Sequence, residues 1–248
     1  MTGLRVGVVG AYGRMGRAIC AAVDAADDLE LVARIGSDDD LVGLDEADVA
    51  VDVTRPDQVL DTVRRAVELG AHVVVGTSGM DGGRLDEVRT MLGDHPQVGV
   101  LVAPNFSVGA VLAMRFAVQA ARFFESVEVV EMHHPDKVDA PSGTARRTAQ
   151  LVAEARARAG LGPVADATGD DGAAARGVRV DGVPVHAVRL RGLTASQEVL
   201  LGGVGETLSI RHDSHDRAAF MPGVLAAVRA VPSMPGLSVG LDAVLGLE

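Results

Sequence analysis

Two histidines and a lysine fall within five positions in the stretch Glu131-Met-His-His-Pro-Asp-Lys-Val-Asp-Ala-Pro-Ser-Gly-Thr-Ala145. His133 or His134 titrates near neutrality and can deliver a proton, and Lys137 is a fixed positive charge. Pro135 and Pro141 lack amide donors and bias the residues before them toward extended backbone. His133 to Pro141 therefore reads as a fixed loop and not as one face of a helix. Ser142 is a candidate helix N-cap, with Gly143 and Thr144 supplying the first free amides. The helix itself is marked by Ala145, Ala149, Val152, Ala155 and Ala159 at helical spacing and by Gly160 at its close. A helix N-terminus seats a carboxylate or a phosphate. A proton donor, a cation and an anion seat in one loop suit protonation chemistry on an anionic substrate. His-His alone serves a surface as readily as a catalytic centre, and Pro-Ser-Gly-Thr alone is only a helix start. The weight comes from their combination between a predicted strand and a predicted helix.

Other elements must position that loop. Leu4 to Gly10 is short, apolar and β-branched, the pattern of a buried parallel strand. It runs into Gly10-Ala11-Tyr12-Gly13-Arg14-Met15-Gly16 and then a helical pattern through Ala26. Glycines at such a junction permit a tight turn, close approach of backbone to a pyrophosphate, and helix-on-strand packing. The spacing is GxxGxxG, not GxGxxG, and its place at the first strand–helix junction favours dinucleotide binding over a merely structural turn. Further strands are predicted at 29–35, 49–54, 72–77 and 98–103, with helices at 56–69, 81–92 and 107–124. This alternation predicts an α/β fold, a Rossmann-like doubly wound parallel sheet with its ligands at the carboxyl ends of the strands. Those ends read Thr54-Arg55-Pro56, Gly76-Thr77-Ser78-Gly79 and Ala103-Pro104-Asn105-Phe106-Ser107. Small and hydroxyl residues there suit contact with ribose, phosphate or nicotinamide.

An acid normally ends the second strand and holds the adenosine ribose diol. Here Ile35-Gly36-Ser37 is followed by Asp38, Asp39 and Asp40. A 2′-phosphate would not be repelled at Gly36, and Arg14 or Ser37 could contact it. The aspartates could instead cap the next segment, so the choice between NADPH and NADH stays open.

After Phe124 the rhythm changes. A strand at 127–132 leads into the histidine loop, a helix is predicted over 144–159, and the Gly-, Ala- and Asp-rich segment 160–182 reads as a mobile surface excursion. Strands at 183–190, 197–201 and 206–211 follow, separated by glycine-rich turns. The expectation is a second, α+β domain with an open mixed sheet: residues 1–105 with 217–248 bind the dinucleotide, and 106–216 bind substrate and oligomerise. A helical pattern runs from Asp213 to Val231. Residues 237–245 suggest a final strand, or strand and turn, that packs back on the first domain.

Composition removes several alternatives. Lys and Arg total 23 against 34 Asp and Glu, a formal charge of −11, which opposes nonspecific nucleic-acid or anionic-membrane binding. An anionic ligand therefore needs a local positive site such as the histidine loop. Hydrophobic residues make up 48% and aromatics 2%, so Val, Leu and Ala must fill the core of this 248-residue chain. Cys20 is the sole cysteine, so no intrachain disulfide forms, and its predicted helix makes it a small buried thiol. No apolar run is long enough to span a membrane. The opening Met-Thr-Gly-Leu-Arg enters a strand without room for a signal peptide, so a cytoplasmic location is the expectation. No metal site is expected, because His133-His134 has no nearby third ligand.

Taken together these motifs resemble the dihydrodipicolinate reductase family, also called 4-hydroxy-tetrahydrodipicolinate reductase, of bacterial lysine and diaminopimelate synthesis. The resemblance spans essentially the whole chain. Its most specific part is the 131–145 stretch, supported by Gly10-Ala-Tyr-Gly-Arg-Met-Gly, Gly76-Thr-Ser-Gly, Ala103-Pro-Asn-Phe-Ser and the run from Gly205 to Gly223. It implies hydride transfer from NADPH or NADH to a cyclic dicarboxylate with loss of water. It implies His133 as proton donor with Lys137 as catalytic partner. His134, Gly143 and Thr144 would bind substrate, with Ser142 at the same helix start. Gly10 to Met15, Gly76 to Ser78 and Ala103 to Phe106 would hold the dinucleotide. A homotetramer built through the second domain's sheet is implied as well.

Three residues depart from the family pattern. Tyr12 stands where a small or basic residue is usual, Gly36 where an acid is usual, and Ser196 where a histidine is expected. A reductase of another cyclic imine acid, or a non-catalytic dinucleotide-binding sensor, are the competing readings. The intact His133, Lys137 and Ser142-Gly143-Thr144 weigh against the sensor. Because cofactor motifs and substrate loop fall in different domains, opening and closing between them is expected.

Overall fold

The computed structural model describes residues 3–36, 39–169, 172 and 175–247, and the chain divides into two units, 1–108 with 217–248 and 109–216. In the first unit, valine-rich runs form a wholly parallel sheet. Its strands are β1 (Leu4–Val9), β2 (Leu29–Ile35), β3 (Val49–Asp52), β4 (His72–Val75), β5 (Gly99–Val102) and β11 (Gly236–Val239), in the order β2-β1-β3-β4-β5-β11. Val6, Val8, Val49, Val51, Val73, Val74, Val75 and Val100 are all fully buried. Burial on both faces explains why these strands read as apolar runs without alternation. The connecting helices are α1 (Arg14–Asp24), α2 (Val59–Glu68) and α3 (Gly82–Leu92). The strand order reverses between β1 and β3, and in such sheets the crevice at that point takes the ligand. Cys20 is buried in α1, as its helical position predicts.

The second unit carries the mixed sheet β10-β9-β6-β8-β7, made of β6 (Ser126–His133), β7 (Val178–Val180), β8 (Val183–Arg189), β9 (Ala195–Gly203) and β10 (Glu206–Ser214). β6 and β8 run parallel and the other pairs antiparallel. Helix α4 (Val108–Ala121), apart from its first residue, and helix α5 (Gly143–Arg158) belong to this unit. Ala117, Ala121, Ala145 and Ala149 pack with Val129, Val185, Val199 and Leu201. Methyl-sized side chains on the helices let this core close with one aromatic, Phe124, packed at its margin.

Two expectations are corrected. The 160–182 segment contains strand β7, and Asp166 fastens it through Arg176 at 3.3 Å and Arg179 at 2.8 Å, while Arg176 also pairs with Glu128. Its glycine and alanine content hid those charge pairs. The helix expected from Asp213 is instead the end of β10, a short 3-10 turn at Arg217–Phe220, and helix α6 (Met221–Ala230). Pro222 confines the helix to starting beside it, because an interior proline would lose a ladder bond. The expected closing strand and turn is present: Gly236–Val239 pairs with β5 in the first sheet, and a turn follows Gly240, whose φ is 96°. Among the described residues no helix is long and apolar enough to cross a membrane.

Arg156 of α5 is 5% exposed, and its guanidinium donates to the carbonyls of Phe124 (2.6 Å), Glu125 (2.9 Å) and Gly162 (3.2 Å). It ties the chain just past the end of α4 to the loop that follows α5. Arg156→Ala should lower unfolding free energy by about 3 kcal/mol. Arg156→Lys should recover only part of that, because one ammonium cannot reach all these carbonyls. Chemical denaturation of the three proteins checks both.

Candidate active site

Strand β6 alternates Val127, Val129 and Glu131 into the core, so its last fully buried position is a carboxylate with no solvent exposure, and His133 follows on the same face. The parallel register with β8 sets Arg189 beside His133. From there the Arg189 guanidinium grips Glu131 in a fork, Nη1 to Oε2 at 2.8 Å and Nη2 to Oε1 at 2.9 Å. The Ser142 amide donates to Oε1 at 3.1 Å, and His133 Nδ1 meets Oε2 at 2.5 Å. Burial alone would push the Glu131 carboxyl up. Arg189, His133 and the Ser142 amide together hold it below the usual range. Glu131 is therefore an anion that accepts, so the hydrogen sits on His133 Nδ1 and Nε2 remains as the working nitrogen. Burial pushes the imidazole's pKa down, helped by the charges of Lys137 and Arg189, while Glu131 pulls it up; the outcome lies below the ordinary 6.5.

The rest of the loop is tied to the same group. Arg189 Nη2 also donates to the Asp139 carbonyl at 2.7 Å, and the Lys137 ammonium meets the Asp139 carboxylate at 2.7 Å. The Lys137 amide donates to the His134 carbonyl at 3.2 Å, which turns the chain between them, and His134 is partly exposed. Ser142 caps α5 as its type predicts, its Oγ accepting from the Ala145 amide at 3.2 Å. A Cβ at Gly143 would meet nothing within 4 Å, so the head of the helix is open. The Thr144 carbonyl accepts from Thr148 Oγ1 at 2.8 Å. His133, Arg189 and the Ser142 amide are thus gathered around one buried carboxylate, and Lys137 is tied to Asp139, whose carbonyl the same Arg189 holds. A neutral-range acid, an ammonium and a helix N-terminus there can protonate and hold a dicarboxylate.

In the first unit the glycine turn makes a second site. Gly10 has φ 86°, and a Cβ there would lie 2.6 Å from the Val53 carbonyl oxygen. A Cβ at Gly16 would lie 2.1 Å from the Gly10 oxygen, so α1 can press onto the turn only with glycine at that position. Gly13 caps α1 without a side-chain acceptor, leaving the cap open to an outside anion. The cleft in front of this turn has a volume of about 490 Å³ and is lined by Gly10, Tyr12, Gly13, Gly36, Asp39, Val53, Thr54, Arg55 and Gln58. Its glycine floor and capless helix fit the pyrophosphate and ribose of a nicotinamide dinucleotide.

Of the other predicted cofactor residues, Arg14 and Met15 open α1, while Ala11 is buried with its amide on the Ile35 carbonyl at 3.0 Å. Ser37 lies outside the described residues. Gly76, Thr77 and Ser78 follow β4, and Ala103, Pro104, Asn105 and Phe106 follow β5, at the same carboxyl edge but outside the cleft lining. Phe106 is buried against Gly76, where a Cβ would meet the ring at 2.4 Å. The Thr77 hydroxyl is spent on Asp52 at 2.5 Å.

Sequence reasoning passed over Glu131, Arg189 and Asp52 as functional groups. Asp52 is fully buried at the end of β3 and receives the hydroxyls of Thr54 (3.0 Å) and Thr77, joining two cleft-edge loops. An acid in a strand position whose neighbours are all apolar was the available signal for Asp52 and Glu131. Nothing near Arg189 in the sequence marks it. Among the described residues no three His, Cys, Asp or Glu side chains converge as a metal site requires.

Two family models match: "Dihydrodipicolinate reductase, N-terminus" over residues 4–106 and "Dihydrodipicolinate reductase, C-terminus" over residues 109–245. A 4-hydroxy-tetrahydrodipicolinate reductase of Nocardia farcinica is 61% identical over 98% of this chain and 99% of its own. Its counterpart in Cutibacterium acnes is 58% identical over 99% of this chain and 100% of its own. A dipicolinate-bound dihydrodipicolinate reductase from Paenisporosarcina sp. TG-14 superposes with a TM-score of 0.83, at 35% identity, over 98% of this chain and 99% of that one.

Glu131→Gln should cost about 2 kcal/mol at neutral pH, because it removes, at a fully buried position, the charge that holds the partly exposed Arg189 and the His133 ring. The native carboxyl has a folded pKa below its ordinary 4.5, so its stabilisation is complete above 4.5 and is lost as pH falls through the folded value. The gap between native and variant in denaturant titrations should accordingly be constant near neutrality and shrink below pH 4.5.

Proposed function

The chain belongs to the dihydrodipicolinate reductase family, and on that premise we propose how its residues divide the family's reaction. The reaction is the reduction of 4-hydroxy-tetrahydrodipicolinate to tetrahydrodipicolinate with loss of water, in lysine and diaminopimelate synthesis. When bound, NADPH or NADH supplies the hydride. Loss of the ring hydroxyl as water leaves a conjugated cyclic imine. Hydride addition at its terminal carbon leaves an electron-rich ring, and one proton restores the imine of the product.

His133 gives that proton from Nε2, while Glu131, fixed by Arg189, keeps Nδ1–H engaged and the ring oriented. The head of α5 at Ser142, Gly143 and Thr144 seats one substrate carboxylate, with His134 beside it. Lys137 supplies the positive charge that a dianion needs in a protein of charge −11, and exchanges Asp139 for substrate. A bound dianion raises the pKa that burial has lowered at His133, so the acid is charged when it is required. Dipicolinate on the Paenisporosarcina protein supports a ring dicarboxylate as ligand. The turn from Gly10 to Met15 and the loops after β2, β4 and β5 hold the dinucleotide in the first unit. The observation that carries this reading is the His133–Glu131 pair closed by Arg189 at the head of a capped helix.

The enzyme works in the cytoplasm as a homotetramer. Support for assembly comes from the sheet face turned away from Val129, Glu131 and Val199. There Val130, Met132, Val188 and Leu200 share one side, with Val188 38% and Leu200 39% exposed. Light scattering on the purified chain should give about four times the chain mass. A monomer at micromolar concentration would refute the assembly.

Turnover is tested by generating substrate in place with dihydrodipicolinate synthase, pyruvate and aspartate semialdehyde. Nicotinamide absorbance should fall only when the synthase is present. His133→Asn combined with Lys137→Ala should abolish that loss while dinucleotide binding is unchanged; retained turnover refutes the assigned roles. The free enzyme must carry its proton on His133, so kcat/KM should be highest at low pH. It should fall as pH rises through a value below 6.5, and a profile rising over that window would count against His133 as the acid.

A further inference from the structure

The end of β2 carries Gly36 where the ribose-binding acid is usual, yet the cleft does not lack a carboxylate there. Asp39 folds back so that its Oδ2 accepts from the Gly36 amide at 2.7 Å. A Cβ built on Gly36 would lie 3.1 Å from that same oxygen, so the Asp39 carboxylate fills the space a side chain at 36 would enter. The same Cβ would lie 2.9 Å from Tyr12 Cδ2. A side chain at 36 would therefore have to displace the Tyr12 ring as well as the Asp39 carboxylate, so the two departures from the family pattern meet in one place. Asp39 also lines both the 490 Å³ cleft and an adjoining cavity of 150 Å³, which share Gly36, Thr54 and Gln58 with it.

The arginines near this corner are already paired with acids. No lysine or arginine occurs between Arg34 and Arg55. Arg34 is held by Asp24 at 2.6 Å, and Arg55 at the cleft wall is held by Asp57 at 3.3 Å. Arg14 is not part of the cleft lining. A ribose diol can donate to Asp39, whereas a 2′-phosphate would meet that carboxylate, and the cation on the cleft lining, Arg55, already faces Asp57.

We propose that Asp39, presented by Gly36 and backed by Tyr12, replaces the strand-end acid and makes this chain select NADH over NADPH. The proposal rests on the assignment of this cleft to the dinucleotide. It is tested by fluorescence titration of each dinucleotide, at one ionic strength, against the full-length native protein and Asp39→Asn. The variant keeps an acceptor for the Gly36 amide and removes only the charge. Native protein should bind NADH about tenfold or more tighter than NADPH, and in the variant the two affinities should converge to within about threefold. Equal native affinities, or a preference for NADH that Asp39→Asn leaves untouched, would overturn the proposal. Native protein that binds neither dinucleotide would overturn the cleft assignment, and the proposal with it.

Discussion

Burying the Glu131 carboxylate among valines and alanines would be prohibitive without partners, and the second sheet supplies them by register. Because β8 runs parallel to β6, Arg189 arrives beside His133 and can fork onto the acid. Once that anion is fixed, it takes the Ser142 amide and one nitrogen of His133. The strand end, the loop and the start of α5 then have little freedom relative to one another. The histidine's tautomer, the position of the helix head and the path of the Lys137 turn all follow from one desolvated charge and its counter-charge.

The first unit repeats this device with weaker donors. Asp52, also at the carboxyl end of a buried strand, gathers the hydroxyls of Thr54 and Thr77 and so couples the loops after β3 and β4. Hydroxyl donors satisfy a buried carboxylate without placing a cation at the cleft. That matters for a site whose glycine turn and open helix cap are already arranged to receive phosphates. In both units a buried acid gathers donors from neighbouring loops.

What could be read from sequence was whatever is local. Prolines bounding the histidine loop, Ser142 before an alanine stripe, and glycines at a strand–helix junction each act on their own neighbours, and the structure places a loop, a capped helix and a tight turn there. Valine runs announced the parallel sheet because burial on both faces erases alternation. Arg189 was illegible because its role depends on which strand becomes the neighbour of β6, a matter of pairing across 58 residues. Asp39 was visible only as one of three aspartates. Its contact with the Gly36 amide, beside the Tyr12 ring, is a matter of tertiary placement. The 160–182 segment was misjudged for the same reason, since Arg176 finds Glu128 on β6.

The chain visits the first unit twice: residues 109–216 are a continuous insertion, and the first sheet receives β11 only from residues 236–239. During synthesis the inserted unit is complete while its host still shows β5 as an unpaired edge. The nascent first unit must therefore wait for the carboxyl-terminal residues before that edge is covered, and an exposed parallel edge is a template for wrong pairing. The order of emergence from the ribosome thus makes the last dozen residues guardians of the first hundred.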